Sequence, residues 1–514
     1  MKVIVVGASG AGLYLAYSLA REGLEVEVYE RKERVDWPRR TLIVTSRLAD
    51  ILGFEVGEAI LNRVIYMQLE AGGEKVRLRL SSPDLIIERG KFFALLAGMA
   101  RREGARLYFG HELVGFYSVN GGRGKIRCLV RRKQNGEVRE VEADYLVGAD
   151  GALSRVKGLL LGAEGLNIWV KPGGYGASSV QGLNSSQKVN NRPEASRGSG
   201  NDVNGDQEIN SGESSGEWQS RGERNFATDL KALLQWRVEL KGMSERKMGC
   251  FFRFEPETCY VWFDPKRTPY FFWALPESAE VMAVGLIADS MAEAKKALAS
   301  FLQEKMPEAK LLEAQAGLTP LPRFVFRFSQ VLFRGGAGSW RFSCLSENYR
   351  DQAGNRAVGS LRPEDSAMNP ESCAPRHFYT GKEILYSSIN GGDGSGSIFL
   401  VGDAASQVKA TTVGGVVAGL RGAKAVANLI LGRVEEAKRE LEKLRCELNL
   451  HLLLRKILNR FDEEDYRRLL SLLRRDNGLA SFIARHTRDD LASFFFKLIF
   501  RYPRLAWIGL RSLL

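Results

Sequence analysis

The first thirty residues, MKVIVVGASGAGLYLAYSLAREGLEVEVYE, constrain the fold of this chain more than any other stretch. Lys2 to Val6 is a short β-branched apolar run, the pattern of a parallel strand buried on both faces. Gly7, Gly10 and Gly12 permit a tight turn. Leu13 to Arg21 places apolar residues at helical spacing, and Gly23 stops the helix. Glu25 to Tyr29 gives a second strand with Glu30 at its carboxyl end. Unpaired amides at a helix start attract a pyrophosphate, and an acid at the end of the second strand accepts from ribose hydroxyls. The turn reads G-A-S-G-A-G, so Ser9 stands where the second glycine of G-x-G-x-x-G is expected, with Ala11 beyond Gly10. A ligand-free α/β turn has the same local pattern, but the complete unit with its terminal acid favours a dinucleotide site. Glu30 favours an unphosphorylated ribose, while the adjacent Arg31 pulls the other way.

Two later stretches share this logic. In ADYLVGADGALSRV, residues 143–156, an apolar strand runs into Gly148-Ala149-Asp150-Gly151, and Ser154-Arg155 opens a helix. Asp150 is either a ribose or phosphate anchor or part of an ordinary Asp-Gly turn. In Ser397 to Leu431 a strand delivers Gly402-Asp403, and a turn with Thr411-Thr412 precedes a helix started by Gly414-Gly415. Asp403 suits ribityl or pyrophosphate oxygens. The amides of Gly415 and Val416, at the positive end of a helix dipole, face a developing negative charge. On a flavin that charge appears at the pyrimidine edge of the ring.

Elsewhere the pattern predicts a helix over Thr45–Leu52 and a hairpin of Val64–Glu70 and Val76–Leu80 around Gly72-Gly73. A helix from Lys91 to Glu103 follows, closed by Gly104. Arg89, at that strand-to-helix junction, is either a helix-start charge or a reach toward a cofactor phosphate. Residues 172–225 and 335–395 are rich in Gly, Ser and polar side chains, the composition of irregular or disordered insertions. Helical periodicity resumes at Leu230–Leu234. Between the insertions, Cys259–Phe263, Tyr270–Ala274 and Val281–Ile287 read as strands whose aromatics either wall an apolar cavity or fill a core.

A chain of 514 residues is long enough for two or three domains. Its formal charge of +13 implies an anionic partner or a solvated basic surface. No nucleic-acid motif accompanies that charge, so headgroups or a phosphorylated lipid fit it better. The six cysteines form no C-x-x-C pair and the four histidines are scattered, so no metal is expected. No signal peptide or bilayer-spanning run is evident, which points to the cytoplasm. Leu491–Leu514, punctuated by Lys497, Arg501, Arg504 and Arg511, suits either an amphipathic segment at a membrane interface or a packed helical cap.

The N-terminal turn with Glu30, the Asp150-Gly151 strand and the Gly402-Asp403 strand-helix, in that order, resemble flavoproteins of the p-hydroxybenzoate hydroxylase fold. Within that class GDAASQVKATTVGG, the segment Tyr270-x-x-Trp273-x-x-Pro276 and the helical tail resemble the geranylgeranyl reductase family, digeranylgeranylglycerophospholipid reductases included. The resemblance implies a mixed α/β fold. A discontinuous Rossmann-like, three-layer FAD-binding domain (1–165 and 396–432) carries an inserted antiparallel substrate domain (226–334, with strands near 60–88) and a C-terminal helical region (433–514). It implies FAD as cofactor and NAD(P)H or a reduced ferredoxin as electron donor, with no separate Rossmann unit for NAD. It assigns Ala11 and Glu30 to the adenosine half, Arg89 and the Leu113 backbone to the cofactor, and Asp403, Gly415 and Val416 to the isoalloxazine end. Tyr270, Trp273 and Pro276 become substrate-binding residues for a prenyl lipid whose isoprenoid double bonds are reduced at the membrane. One departure stands out. Where the family shows a Cys-Gly pair ahead of the flavin, this chain reads Arg40-Thr41-Leu42-Ile43-Val44, so the role of that cysteine does not transfer, while Arg40 and Thr41 at this place are expected to bind the cofactor. A flavin monooxygenase on the same fold and a flavin-binding lipid carrier are the rival readings.

Overall fold

The N-terminal unit forms as its pattern predicts: β1 (Lys2–Val6), α1 (Gly10–Arg21) and β2 (Glu25–Glu30). The chain continues through β3 (Thr41–Val44), α2 (Arg47–Leu52), β4 (Ile60–Ala71), β5 (Glu74–Glu88), α3 (Arg89–Arg102) and β6 (Arg106–Phe109). Then come β7 (His111–Ser118), β8 (Ile126–Arg132), β9 (Val138–Ala143), β10 (Tyr145–Gly148) and α4 (Arg155–Leu160). The central segment holds β11 (Thr228–Glu239), β12 (Thr258–Trp262), β13 (Phe272–Pro276), β14 (Val281–Ala288), α5 (Met291–Lys305) and β15 (Lys310–Pro322). The last segment holds β16 (Ser397–Leu400), α6 (Val416–Ile430), α7 (Val434–Leu458), α8 (Glu463–Arg475), α9 (Asn477–Ala484), α10 (Leu491–Arg501) and α11 (Pro503–Arg511). This computed structural model describes residues 1–34, 37–118, 125–160, 228–240, 254–322, 397–486 and 488–511. All belong to one contact unit, Met1–Arg323 with Ile384–Leu514. The expected insertions at 172–225 and 335–395 lie outside the described residues.

The first layer is a five-stranded sheet, ordered β16-β10-β1-β2-β6, in which every pairing is parallel. Its inner strands β1, β2 and β10 are buried on both faces, which is why Lys2–Val6 reads as one apolar run. Leu13, Leu15 and Leu19 of α1, Phe92 and Leu96 of α3, and Leu420 and Val426 of α6 pack with Val3, Val5 and Val28 on one face. On the other, Ile4 and Val6 meet the antiparallel β7-β8-β9 sheet through Phe116, Cys128 and Val130. Three layers result, as the resemblance implies.

The second sheet has eight strands, β15-β11-β14-β13-β12-β4-β5-β3, all antiparallel except β12 against β4. Gly72 and Gly73, at φ of 54° and 81°, make the β4–β5 turn. Two successive positive φ values are those of the hairpin turn that matches strand twist. Phe272 of β13 is fully buried and stacks on Phe301 of α5, ring centroids 4.2 Å apart. Trp273, one residue on, points to the opposite face. It fits there because its partner in register, Gly285, has no side chain: a Cβ at that position would lie 2.5 Å from the Trp273 ring.

One prediction fails here. Leu230–Leu234 belongs to strand β11, hydrogen-bonded on both sides to β14 and β15, and not to a helix. Leu234 and Val238 face α5 while Leu233 is buried on the other face. A central strand buried on both sides loses its alternation, so a short run such as LKALL does not reveal its period.

Helices α8 and α9 cover the β4–β5 hairpin through Leu470, Leu473 and Leu479. Helix α7 lies against α6, where Leu444 and Leu448 pack on Ala418. No helix among the described residues is long and apolar enough to cross a membrane.

Candidate functional site

The turn after β1 is closed by contacts that leave no room for larger side chains. Gly7 has φ of 100°, and a Cβ on Gly12 would lie 2.3 Å from the Gly7 carbonyl oxygen. Ser9 caps α1, its hydroxyl accepting from Gly12 N–H at 3.2 Å. Among the described residues this leaves the Ser9, Gly10 and Ala11 amides as the free donors of the helix start. Glu30 accepts from Ala8 N–H at 2.9 Å and Lys32 N–H at 3.0 Å, so the second-strand acid tethers the turn. Arg31 is exposed beside it. Trp37 closes the same turn by donating from Nε1 to the Ala8 carbonyl at 3.0 Å.

The other two segments meet this turn. A Cβ on Gly7 would lie 2.7 Å from the Cα of Asp150, so the third strand-end turn abuts the first. The Asp150 carboxylate itself caps α4, accepting from Ser154 Oγ (2.6 Å), Arg155 N–H (2.7 Å) and Val156 N–H (3.1 Å). Both of its oxygens thus accept from the residues that open α4, just past the end of β10. Leu113 sits at a bulge in β7, its side chain buried against Tyr29 at the end of β2. Gly402 packs on α1: a Cβ there would lie 3.2 Å from the Ala11 methyl.

Asp403 gathers the remaining candidates. A Cβ on Gly415 would lie 3.0 Å from its Oδ1, which sets the carboxylate beside the start of α6. Burial pushes the Asp403 carboxyl above its usual value, opposed by the positive charges of Arg40 and Arg89. Burial likewise lowers the Arg40 guanidinium to about 10, helped by Arg89 and opposed by Asp403. Arg89 shifts down for the same reason, again opposed by Asp403. All three keep part of their surface accessible although desolvation dominates each, the condition of side chains lining a cleft. Arg89 opens α3 and donates to the Pro38 carbonyl at 3.0 Å, so it is both a helix-start charge and a member of this cluster. Nε of Arg40 and of Arg89 and Oγ1 of Thr412 are buried without a partner among the described residues. Such orphaned donors, with the closed glycine turn, fit an anionic dinucleotide and a polar ring edge.

The loop from Lys409 to Gly415 is held under strain. Val413 has φ of 51°, a conformation that a β-branched residue avoids. Its amide donates to the Lys409 carbonyl at 2.7 Å. Val413, with Val408 and Ala410, shares an apolar cluster with Tyr270 and Trp273. Tyr270 also lies under the Arg455 guanidinium, 4.9 Å from ring centroid to carbon. Pro276 is further along β13, where its carbonyl accepts from Asn62 Nδ2 at 3.1 Å. The structure thus brings Tyr270 and Trp273 to the loop and sets Pro276 apart from it.

Several buried polar contacts join residues whose pairing the sequence does not show. Thr41 donates to Glu277 Oε1 at 2.5 Å, and Arg237 donates to Oε2 at 2.6 Å. Gln407 accepts from Gly402 N–H at 2.7 Å. Lys409 pairs with Asp489, which also accepts from Thr45. Gln407 and Lys409 lie within GDAASQVKATTVGG, and that motif is the one clue to them.

Residues 1–165 match the family model described as an FAD binding domain. The N-terminal part of this chain is an FAD binding domain. A digeranylgeranylglycerophospholipid reductase of Methanothrix thermoacetophila is 30% identical over 178 residues, 33% of this chain and 43% of that protein. A kynurenine 3-monooxygenase of Salinispora tropica is 30% identical over 176 residues, 30% of this chain and 37% of its own length. The chain thus spans less than half the length of these curated relatives. Among solved structures, a geranylgeranyl bacteriochlorophyll reductase-like protein from Thermoplasma acidophilum superposes with a TM-score of 0.58 at 14% identity, over 98% of each chain. That likeness shows a shared fold.

Proposed function

We propose that the protein is an FAD-dependent oxidoreductase that saturates isoprenoid double bonds of a prenyl lipid. The observation that carries this reading is the apolar seating of Tyr270 and half-buried Trp273 against Val408, Ala410 and Val413, on the loop that leads to α6. When bound, FAD supplies a hydride for one alkene carbon while a proton reaches the other. An isolated alkene is unpolarised, so the protein contributes orientation, and a rigid aromatic wall beside the ring holds a double bond in place. Asp403, Arg40 and Arg89 hold polar parts of the cofactor, and the Gly10 and Ala11 amides take its pyrophosphate. NAD(P)H or a reduced ferredoxin delivers the electrons.

Substrate reaches this site from a membrane surface in the same reading. Lys497, Phe500, Arg501, Arg504 and Trp507 are all exposed on α10 and α11, Phe500 by 80% and Trp507 by 67%. Exposed aromatics beside cations suit an anionic headgroup layer.

A second reading, an FAD-dependent monooxygenase acting on an apolar substrate, draws on the same seating of Tyr270 and Trp273, which receives an apolar molecule whichever reaction follows. The test is anaerobic. FAD-loaded protein reduced with limiting dithionite is mixed with a digeranylgeranyl phospholipid, and the flavin spectrum and lipid mass are followed. Reoxidation with a gain of two hydrogens per flavin supports the reductase. Reoxidation that needs oxygen and adds an oxygen atom to a substrate supports the rival.

A further inference from the structure

Helix α7 carries Glu447 and His451 one turn apart, on the face turned toward the loop before α6. Both are buried, exposed by 4% and 2%. The Glu447 carboxylate accepts from Leu491 N–H at 2.7 Å and Ala492 N–H at 2.9 Å, at the start of α10. His451 Nε2 lies 3.2 Å from Glu447 Oε1, and its Nδ1 lies 2.5 Å from Thr411 Oγ1. An ionised carboxylate only accepts, so Nε2 bears a hydrogen and Nδ1 of the neutral ring accepts from the Thr411 hydroxyl. Three side chains therefore form one line from a buried anion to a half-exposed hydroxyl, five residues before Val416 at the start of α6.

We propose that this line is a redox-coupled proton site: His451 takes one proton from solvent, through the Thr411 hydroxyl, for every two electrons that enter the bound FAD. This rests on the reading that the start of α6 faces the flavin. Two electrons and one proton reduce FAD to its anionic form. The second proton goes to His451 Nδ1, making an imidazolium that offsets the new negative charge, and Glu447 stabilises that imidazolium from the far side. Thr411 gives its hydrogen to Nδ1 and regains one from water, so it is unchanged. The electrons come from a nicotinamide or ferredoxin-class donor in use, and from dithionite in the test. His451 and Glu447 act through charge and position and need not touch the substrate.

The surroundings allow this. Burial pushes the His451 imidazole below its ordinary value, and nearby Lys409 adds to that; Glu447, with a smaller contribution from Asp489, opposes it. Arg455, one turn further along α7, is turned to Tyr270. Nδ1 of the ring, which accepts from the Thr411 hydroxyl, is the basic atom on the half-exposed side of the line and is placed to take the proton.

The test is the pH dependence of the flavin midpoint potential, titrated with dithionite in the full-length protein. Uptake of two protons per two electrons doubles the slope against pH relative to uptake of one. Wild-type protein is expected to show the doubled slope in a window that begins below the ordinary histidine range. His451→Gln is expected to show the single slope throughout, and Glu447→Gln to move the window to lower pH. If FAD binds and wild type and His451→Gln share one slope, the proposal is overturned while the flavin site stands. If wild-type protein binds no FAD, both fall.

Discussion

Replacing Asp489 with Asn tests how the C-terminal region holds the flavin loop. Asp489 is 5% exposed and lies between the ammonium of Lys409, itself 7% exposed, and the hydroxyl of Thr45. Removing one member of a buried ion pair leaves the other charge without compensation, at a cost of about 3–5 kcal/mol. Asn still accepts from Thr45, so the loss isolates the charge. Adding Lys409→Met removes the stranded ammonium and is expected to recover more than half of the cost. Denaturant unfolding followed by tryptophan fluorescence gives each value. The pH dependence supplies an independent check. Lys409 and Thr45 outweigh burial and hold the Asp489 carboxyl below its usual value. Between the folded and unfolded values the unfolded chain binds more protons, so this contribution is complete above the ordinary aspartate range. It disappears as pH falls through the lowered folded value. The gap between wild type and Asp489→Asn is therefore constant at neutral pH and closes in acid. A cost under about 1 kcal/mol, or a double variant as unstable as the single one, would refute the reasoning.

Three further outcomes follow from the same geometry. Glu30→Ala removes the charged acceptor for Ala8 and Lys32, a loss of about 1.5–3 kcal/mol in a charge-assisted bond; FAD affinity read by fluorescence quenching should fall by at least about tenfold. Val413→Gly relieves a left-handed β-branched residue and should stabilise the protein to heat by about 1 kcal/mol, while loosening the loop enough to weaken flavin binding. Phe500→Ser with Trp507→Ser should reduce sedimentation with anionic vesicles and leave the melting temperature unchanged, since both side chains are exposed.

What was legible in the sequence was what is local. The unit Lys2–Glu30 declares itself because strand, turn and helix each impose their own residue types within a few positions. The hairpin at Gly72-Gly73 and the helix ending at Gly104 are legible for the same reason. Strand β11 was not, because pairing on both sides and burial on both faces erase the alternation that separates LKALL from a helix. The polar lines Thr45–Asp489–Lys409 and Thr411–His451–Glu447 were not legible either. Apart from Glu447 and His451, four residues apart on one helix, their members are brought together across 40 to 444 residues of chain, and each looks like a surface polar residue in its own neighbourhood. Asp150 could be placed at a strand end, but which hydrogens its oxygens would accept depends on how Ser154 and the first turn of α4 fold back.

The claim beneath all of this is that residues around Gly7, Arg40, Arg89 and Asp403 converge on one FAD. Titrating FAD into the purified protein, and into Asp403→Ala, tests it most directly. One equivalent of tightly held, perturbed flavin in the wild type and a clear loss of affinity in the variant is the predicted result. A protein that stays colourless, or a variant that binds as tightly as its parent, would contradict it.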